Sequence, residues 1–130
     1  MIALVITLIS MTGSLYFSEG LHLIPCLLCW YQRIAMYPLV AIFAVAIVSK
    51  SSEAWRYAAS LILIGWLVAS YHILLVYNII PEVIVPCQAG VSCAQISWSI
   101  LGFITIPLLS WLAFTCLGAL YFLNRYASRI

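Results

Sequence analysis

The stretch Tyr57–Ile80, YAASLILIGWLVASYHILLVYNII, runs without a single Asp, Glu, Lys or Arg. A helix rising about 1.5 Å per residue over this length crosses the ~30 Å hydrocarbon core of a bilayer. The stretch shows no polar–apolar alternation, so it does not fit a membrane-barrel strand of about ten residues with one polar face. Three further segments, about 1–17, 27–48 and 100–123, read the same way. Together they predict four spans. The connections, about 18–26, 49–56 and 81–98, are too short to hold a domain. The expectation is one all-α, integral membrane four-helix bundle over residues 1–130. The first segment carries Thr7, Ser10, Thr12 and Ser14 and competes with a signal peptide. It lacks a basic leader and a small-x-small cleavage site, so it is expected to stay as a span.

Composition points the same way. Of 130 residues, 67% are hydrophobic and 6% charged, and the mean hydropathy is +1.21. Soluble domains carry about 25% charged residues. Five basic and three acidic side chains do not cover the surface of a soluble globule. Such hydrophobicity excludes intrinsic disorder. Five scattered basic residues form no stripe for nucleic acid.

Lys50 and Arg56 flank the middle connection, and Arg125 and Arg129 lie in the C-terminal tail. The first and third connections hold no Lys or Arg. By the positive-inside rule both chain ends face the cytoplasm and loops 18–26 and 81–98 face outward. Four of the five cysteines fall on that outward side: Cys26 and Cys29 as a CxxC opening the second span, and Cys87 and Cys93 in the third connection. Cys116 sits inside a span, where packing is its expected role. Disulfides persist on the oxidising side of a membrane. A lipid-embedded bundle has less need of them for stability than a small secreted domain, so two outward pairs suggest thiol chemistry.

Pro25 suits a first helical turn, which puts Cys26 and Cys29 at the positive end of a helix that favours thiolate. Cys26, Cys29 and Arg33 are spaced for one helical face. An arginine one turn inside a membrane helix marks function. It would stabilise a Cys29 thiolate or hold a ligand oxygen, against the alternative of snorkelling to the interface. His72 in the third span is a candidate ligand donor, or a hydrogen-bonded packing residue. His22 is expected to be solvated. Gln32 is placed to orient Arg33.

Making a disulfide releases two electrons. CxxC is followed by Trp30, not by the His of a c-type haem site. No glycine-rich dinucleotide fingerprint is present. An oxidising compartment is hostile to iron–sulfur ligation. A lipid-soluble quinone, its carbonyls met by Arg33 and His72, is the simplest acceptor.

PCLLCWYQR, residues 25–33, resembles the signature of the DsbB-type disulfide bond formation proteins. CAQISWSILGFITIP, residues 93–107, resembles the family segment that follows the last loop cysteine and enters the fourth span. The close spacing of Cys87 and Cys93 resembles the BdbC branch of Gram-positive bacteria. The resemblance implies an oxidoreductase of the bacterial cytoplasmic membrane. A reduced thioredoxin-fold partner of the DsbA or BdbD type attacks a Cys87–Cys93 disulfide, at Cys87. Electrons pass to Cys26–Cys29 through a transient Cys26–Cys93 bond. Cys29 then faces the quinone, menaquinone or ubiquinone, with Arg33 beside it. The vitamin K epoxide reductase type also combines four spans, a CxxC and a quinone, but its CxxC lies at the last core span. Two readings of other classes remain: a metal-binding membrane protein using the four Cys with His22 nearby, and a structural membrane subunit with two stabilising disulfides.

Overall fold

The structure, a computed structural model of the chain, describes residues 1–22, 26–81, 99–100 and 104–130. Among these residues lie four long helices: α1 (Ile2–Leu15), α2 (Leu27–Ser49), α3 (Ala54–Val76) and α4 (Ile106–Ala127). Two short antiparallel strands, β1 (Ser99–Ile100) and β2 (Ile104–Thr105), pair Ser99 with Thr105 and Ile100 with Ile104 just ahead of α4. All four helices are long and apolar enough to cross a membrane.

α1 continues as a π-helical turn, Tyr16–Gly20, so the first apolar rod reaches Gly20 rather than Phe17. Three of its hydroxyls are satisfied within the rod. Thr7 Oγ1 donates to the carbonyls of Ala3 and Leu4 at 3.0 and 2.9 Å, Ser10 Oγ to Ile6 at 2.8 Å, and Thr12 Oγ1 to Leu8 at 2.7 Å. This is how hydroxyls are tolerated where no water can serve them. α3 begins at Ala54 and stops at Val76, short of Ile80, because the chain turns through Asn78 at φ 54°. α4 starts at Ile106, later than the apolar run suggested. Thr105 is extended and Pro107 occupies the first turn, where its missing N–H costs nothing. Arg125 in the last turn complements the helix dipole and carries α4 on to Ala127.

Sequential helices pack side by side, and α1 also meets α4. Lipid is as apolar as a leucine core, so association rests on close packing rather than on hydrophobic burial. The buried stripe of α3 shows it: Ala58, Ile62, Gly65, Ala69, His72 and Val76 recur at three- and four-residue steps, and half of them are Ala or Gly. The stripe of α2 is Leu28, Gln32, Ala35, Met36, Leu39 and Phe43. Phe114 and Leu117 of α4 complete the centre. A Cβ on Gly65 would overlap the Phe114 ring, so only glycine fits there without rearrangement.

The start of α2, the end of α3 and the π-helical end of α1 share one pole of the bundle. Lys50, Arg56, Arg125 and Arg129 belong to the helix ends and tail at the other pole. Trp66, midway along α3, and Trp111, in the second turn of α4, have rings 6.3 Å apart and cross-link the two helices. Trp66 Nε1 donates to Thr115 Oγ1 at 3.1 Å, and Trp111 Nε1 donates to Ser70 Oγ at 3.0 Å. Cys116 lies on the exposed side of α4 rather than in the packing.

Candidate redox site

Cys26 is the cap residue of α2, with extended backbone, and Cys29 lies in the first turn. The Trp30 N–H donates to the Cys26 carbonyl at 3.1 Å and closes that turn. The turn folds the two thiols together. Cys26 Sγ and Cys29 Sγ are 3.3 Å apart, both are free, and Cys26 is buried while Cys29 is half-buried. Leu28, Leu75, Val68 and Tyr71 pack around them. The CxxC therefore does what its spacing promised, with Cys26 one position ahead of the helix rather than inside it.

His72 reaches the pair from α3. Its Nε2 lies 3.7 Å from Cys26 Sγ, and its Nδ1 lies 3.1 Å from Gln32 Nε2. His72 is 3% exposed and Gln32 5%, so each satisfies a buried polar group of the other. Gln32 therefore orients His72, not Arg33. The sequence puts position 32 on the same stripe as Leu28, Ala35 and Leu39 but does not say which helix that stripe meets.

The Cys29 hydrogen bond, together with His72, holds the Cys26 thiol well below the ordinary thiol range, and burial opposes this only in part. A depressed thiol at a helix N-terminus is the reactive kind.

Arg33 turns to α1. Nη2 donates to the Ser14 carbonyl at 2.9 Å and Nη1 to Ser18 Oγ at 3.3 Å. The last turn of α1 offers the first acceptor and the π-helical turn the second. The guanidinium also lies 5.6 Å from the Trp30 ring centroid, a cation–π contact. Two of the five guanidinium donors are used in the bonds to α1. His22 is exposed at φ 52°, so it is His72, not His22, that accompanies the thiols. Pro25, Cys87 and Cys93 lie outside the described residues.

Comparison with known proteins gives the family of the chain. The family described as "Disulfide bond formation protein DsbB" matches residues 1–124. Disulfide bond formation protein C of Bacillus subtilis (strain 168) is 45% identical over 114 residues, covering 85% of this chain and 80% of that protein. A probable disulfide formation protein C 2 of Bacillus anthracis is 40% identical over 124 residues, 95% of this chain and 88% of the relative. A probable disulfide formation protein of Metapseudomonas resinovorans is 37% identical over 121 residues, 92% and 84% of the two chains. No solved structure matches. With its four apolar helices this is a multi-pass membrane protein, an oxidoreductase of disulfide formation. The thiol pair, the four-helix frame and the match over 1–124 agree: the chain belongs to the DsbB family.

Proposed function

We propose that the chain reoxidises a thioredoxin-fold partner of the DsbA or BdbD type and delivers the electrons to a membrane quinone, menaquinone or ubiquinone. The observation that carries the reading is the thiol pair 3.3 Å apart at the start of a membrane helix, backed by a buried imidazole and flanked by an arginine. The bundle sits in the bacterial cytoplasmic membrane with both chain ends inside. That orientation places Cys26–Cys29 and Cys87–Cys93 on the extracytoplasmic side.

The residues fit a quinone head group by their chemistry. Arg33 brings fixed donors, and Trp30 a flat apolar wall. Tyr71, packed against the cysteine cluster, holds a buried hydroxyl with no hydrogen-bond partner among the described residues. His72 lies against Cys26, 3.7 Å from its sulfur. A bound quinone supplies an acceptor for two electrons and two protons.

The residues of the chain do the rest. The partner's thiolate attacks the Cys87–Cys93 disulfide, and the partner leaves oxidised. The Cys87–Cys93 dithiol then reduces the Cys26–Cys29 disulfide, with Cys26 the entry sulfur and Cys29 the leaving thiolate. Arg33 would hold an acceptor oxygen with the guanidinium donors that Ser14 and Ser18 leave over, and His72 would serve as a second donor by releasing Cys26 or Gln32. Reoxidation of the pair gives up two electrons and two protons.

The test is anaerobic mixing of the purified full chain with quinone and a reduced thioredoxin-fold oxidase, following quinol by absorbance. Quinol should accumulate in step with partner disulfide. Cys29→Ser should abolish it while the helical signal stays intact. Quinol formation by Cys29→Ser at the parent rate would overturn the scheme.

A further inference from the structure

The reduced pair is also a soft-metal ligand set. Cys26 Sγ, Cys29 Sγ and a His72 ring nitrogen all lie within 4.8 Å of one another. Tetrahedral zinc, with bonds of about 2.3 Å to sulfur and about 2.1 Å to nitrogen, requires S···S edges of about 3.8 Å and S···N edges of about 3.6 Å. The observed separations are 3.3 Å between the sulfurs and 3.7 Å from Cys26 Sγ to His72 Nε2. The third edge, from Cys29 Sγ to the His72 ring nitrogen, is no longer than 4.8 Å, so shifts of at most about an ångström bring the three atoms onto one tetrahedral face.

Metal-bound histidines hold their other ring nitrogen by a hydrogen bond that fixes the tautomer. Here Gln32 holds Nδ1. A half-turn of that amide lets its oxygen accept from Nδ1–H, which frees the Nε2 lone pair toward the sulfurs. Charge does not oppose the site. A divalent ion with two thiolates is neutral, and the Arg33 fork is engaged by Ser14 and Ser18. Three protein ligands leave a fourth position open, which is the pattern of an exchangeable site and not of a closed structural one.

We propose that the reduced chain binds one thiophilic divalent cation, zinc or cadmium, through Cys26, Cys29 and His72, and that the bound ion holds the pair out of disulfide exchange. Binding displaces the thiol protons and moves no electrons: one cation and two thiols give a bis-thiolate complex and two protons. The disulfide form has no thiolate to offer, so the site exists only after the pair has received electrons. The inhibitory half of the proposal rests on the functional reading above, and the binding half does not.

The experiment uses the full chain in detergent carrying Cys87→Ser and Cys93→Ser, stripped with chelator and reduced. Cadmium is titrated and followed by the thiolate-to-metal ultraviolet band, with zinc as competitor. One equivalent is expected, with two protons released and both remaining pole thiols protected from alkylation. The oxidised chain should show no band. Cadmium NMR of the chain with His72 intact should give the shift of a two-sulfur, one-nitrogen site. His72→Gln should weaken binding at least tenfold, on the scale at which metal-site changes act. No stoichiometric band, an unchanged affinity in His72→Gln, a shift without a nitrogen ligand, or equal binding by the oxidised chain would each overturn the proposal. Quinol formation is measured separately on the parent chain in chelator. If it proceeds while cadmium fails to bind, only the metal site falls. If cadmium binds and quinol never forms, only the functional reading falls.

Discussion

At the cysteine pole α2 and α3 meet through polar atoms, Gln32 against His72 and His72 against Cys26. Farther along the same helices, and between α3 and α4, the contacts pass to Ala58, Ile62, Gly65, Phe114 and Leu117, which carry no polar side-chain atom. α3 thus takes part in a reactive cluster at one end and in a passive clamp along the rest. Buried polar groups are costly unless partnered. At the pole the partners are spent on orienting a histidine and activating a thiol. In the centre stability comes from small residues that let backbones approach. The division predicts that changes at the pole alter reactivity, and that changes in the centre alter stability.

The largest effect expected is on thiol reactivity against pH. An ordinary thiol, with a pKa near ~8.5, loses roughly a hundredfold in alkylation rate between pH 8 and pH 6 as its thiolate is protonated. The shift at Cys26 is downward, so its thiolate persists on the acid side and falls away only below the shifted value. Alkylation of the reduced chain, with each cysteine read by mass spectrometry in the presence of chelator, should therefore show Cys26 nearly independent of pH over that window. Cys26 slowing in parallel with a free thiol would remove the activated character of the pole.

Next comes the centre. Gly65→Ala puts a methyl group into the fully buried Phe114 ring, and overpacking of this kind costs about 1–3 kcal/mol. The variant should melt earlier in detergent, Phe114→Leu should restore part of the loss, and the alkylation profile of Cys26 should not move. A Gly65→Ala protein as stable as the parent would show that the clamp is looser than drawn.

The frame was legible because hydropathy and length decide it. Tyr57–Ile80 and its three companions located the helices, with ends shifted by Asn78 and Pro107, which apolarity alone does not register. The CxxC and Arg33 were legible because their spacing is helical. What the linear pattern hid was the pairing across helices. Nothing local tells that Gln32 faces His72 forty residues on, that Arg33 reaches back to Ser14, or that Trp66 and Trp111 bridge α3 to α4. Those contacts depend on which faces meet, and they became readable only once the stripes of α2 and α3 were set against each other.

Arg33 tests whether the pole extends to α1. Arg33→Ala removes a candidate quinone donor and also the two bonds that hold the π-helical end of α1. The apparent KM for quinone should rise about tenfold, the equivalent of ~1.4 kcal/mol for one charge-assisted bond. Arg33→Lys should recover little, since a single ammonium does not reproduce the fork. An unchanged quinone dependence, with α1 alone loosened in proteolysis, would make Arg33 a brace between helices.

The smallest effect belongs to the indole bridges. Trp111 donates to Ser70 and Trp66 to Thr115, but Thr115 is exposed, and Thr115 and Ser70 also donate to carbonyls one turn back. Interhelical hydrogen bonds in membrane proteins average about 0.6 kcal/mol, because the separated helices find substitute partners. Ser70→Ala and Thr115→Val should each cost about that much in detergent unfolding. The double variant should depart from their sum, since both hydroxyls bond both tryptophans and form one network. A loss of several kcal/mol in either single variant would mean that polar contacts hold the α3–α4 seam as well as the pole. The contrast between a reactive end and a passively packed centre would then give way to a bundle held by hydrogen bonds throughout.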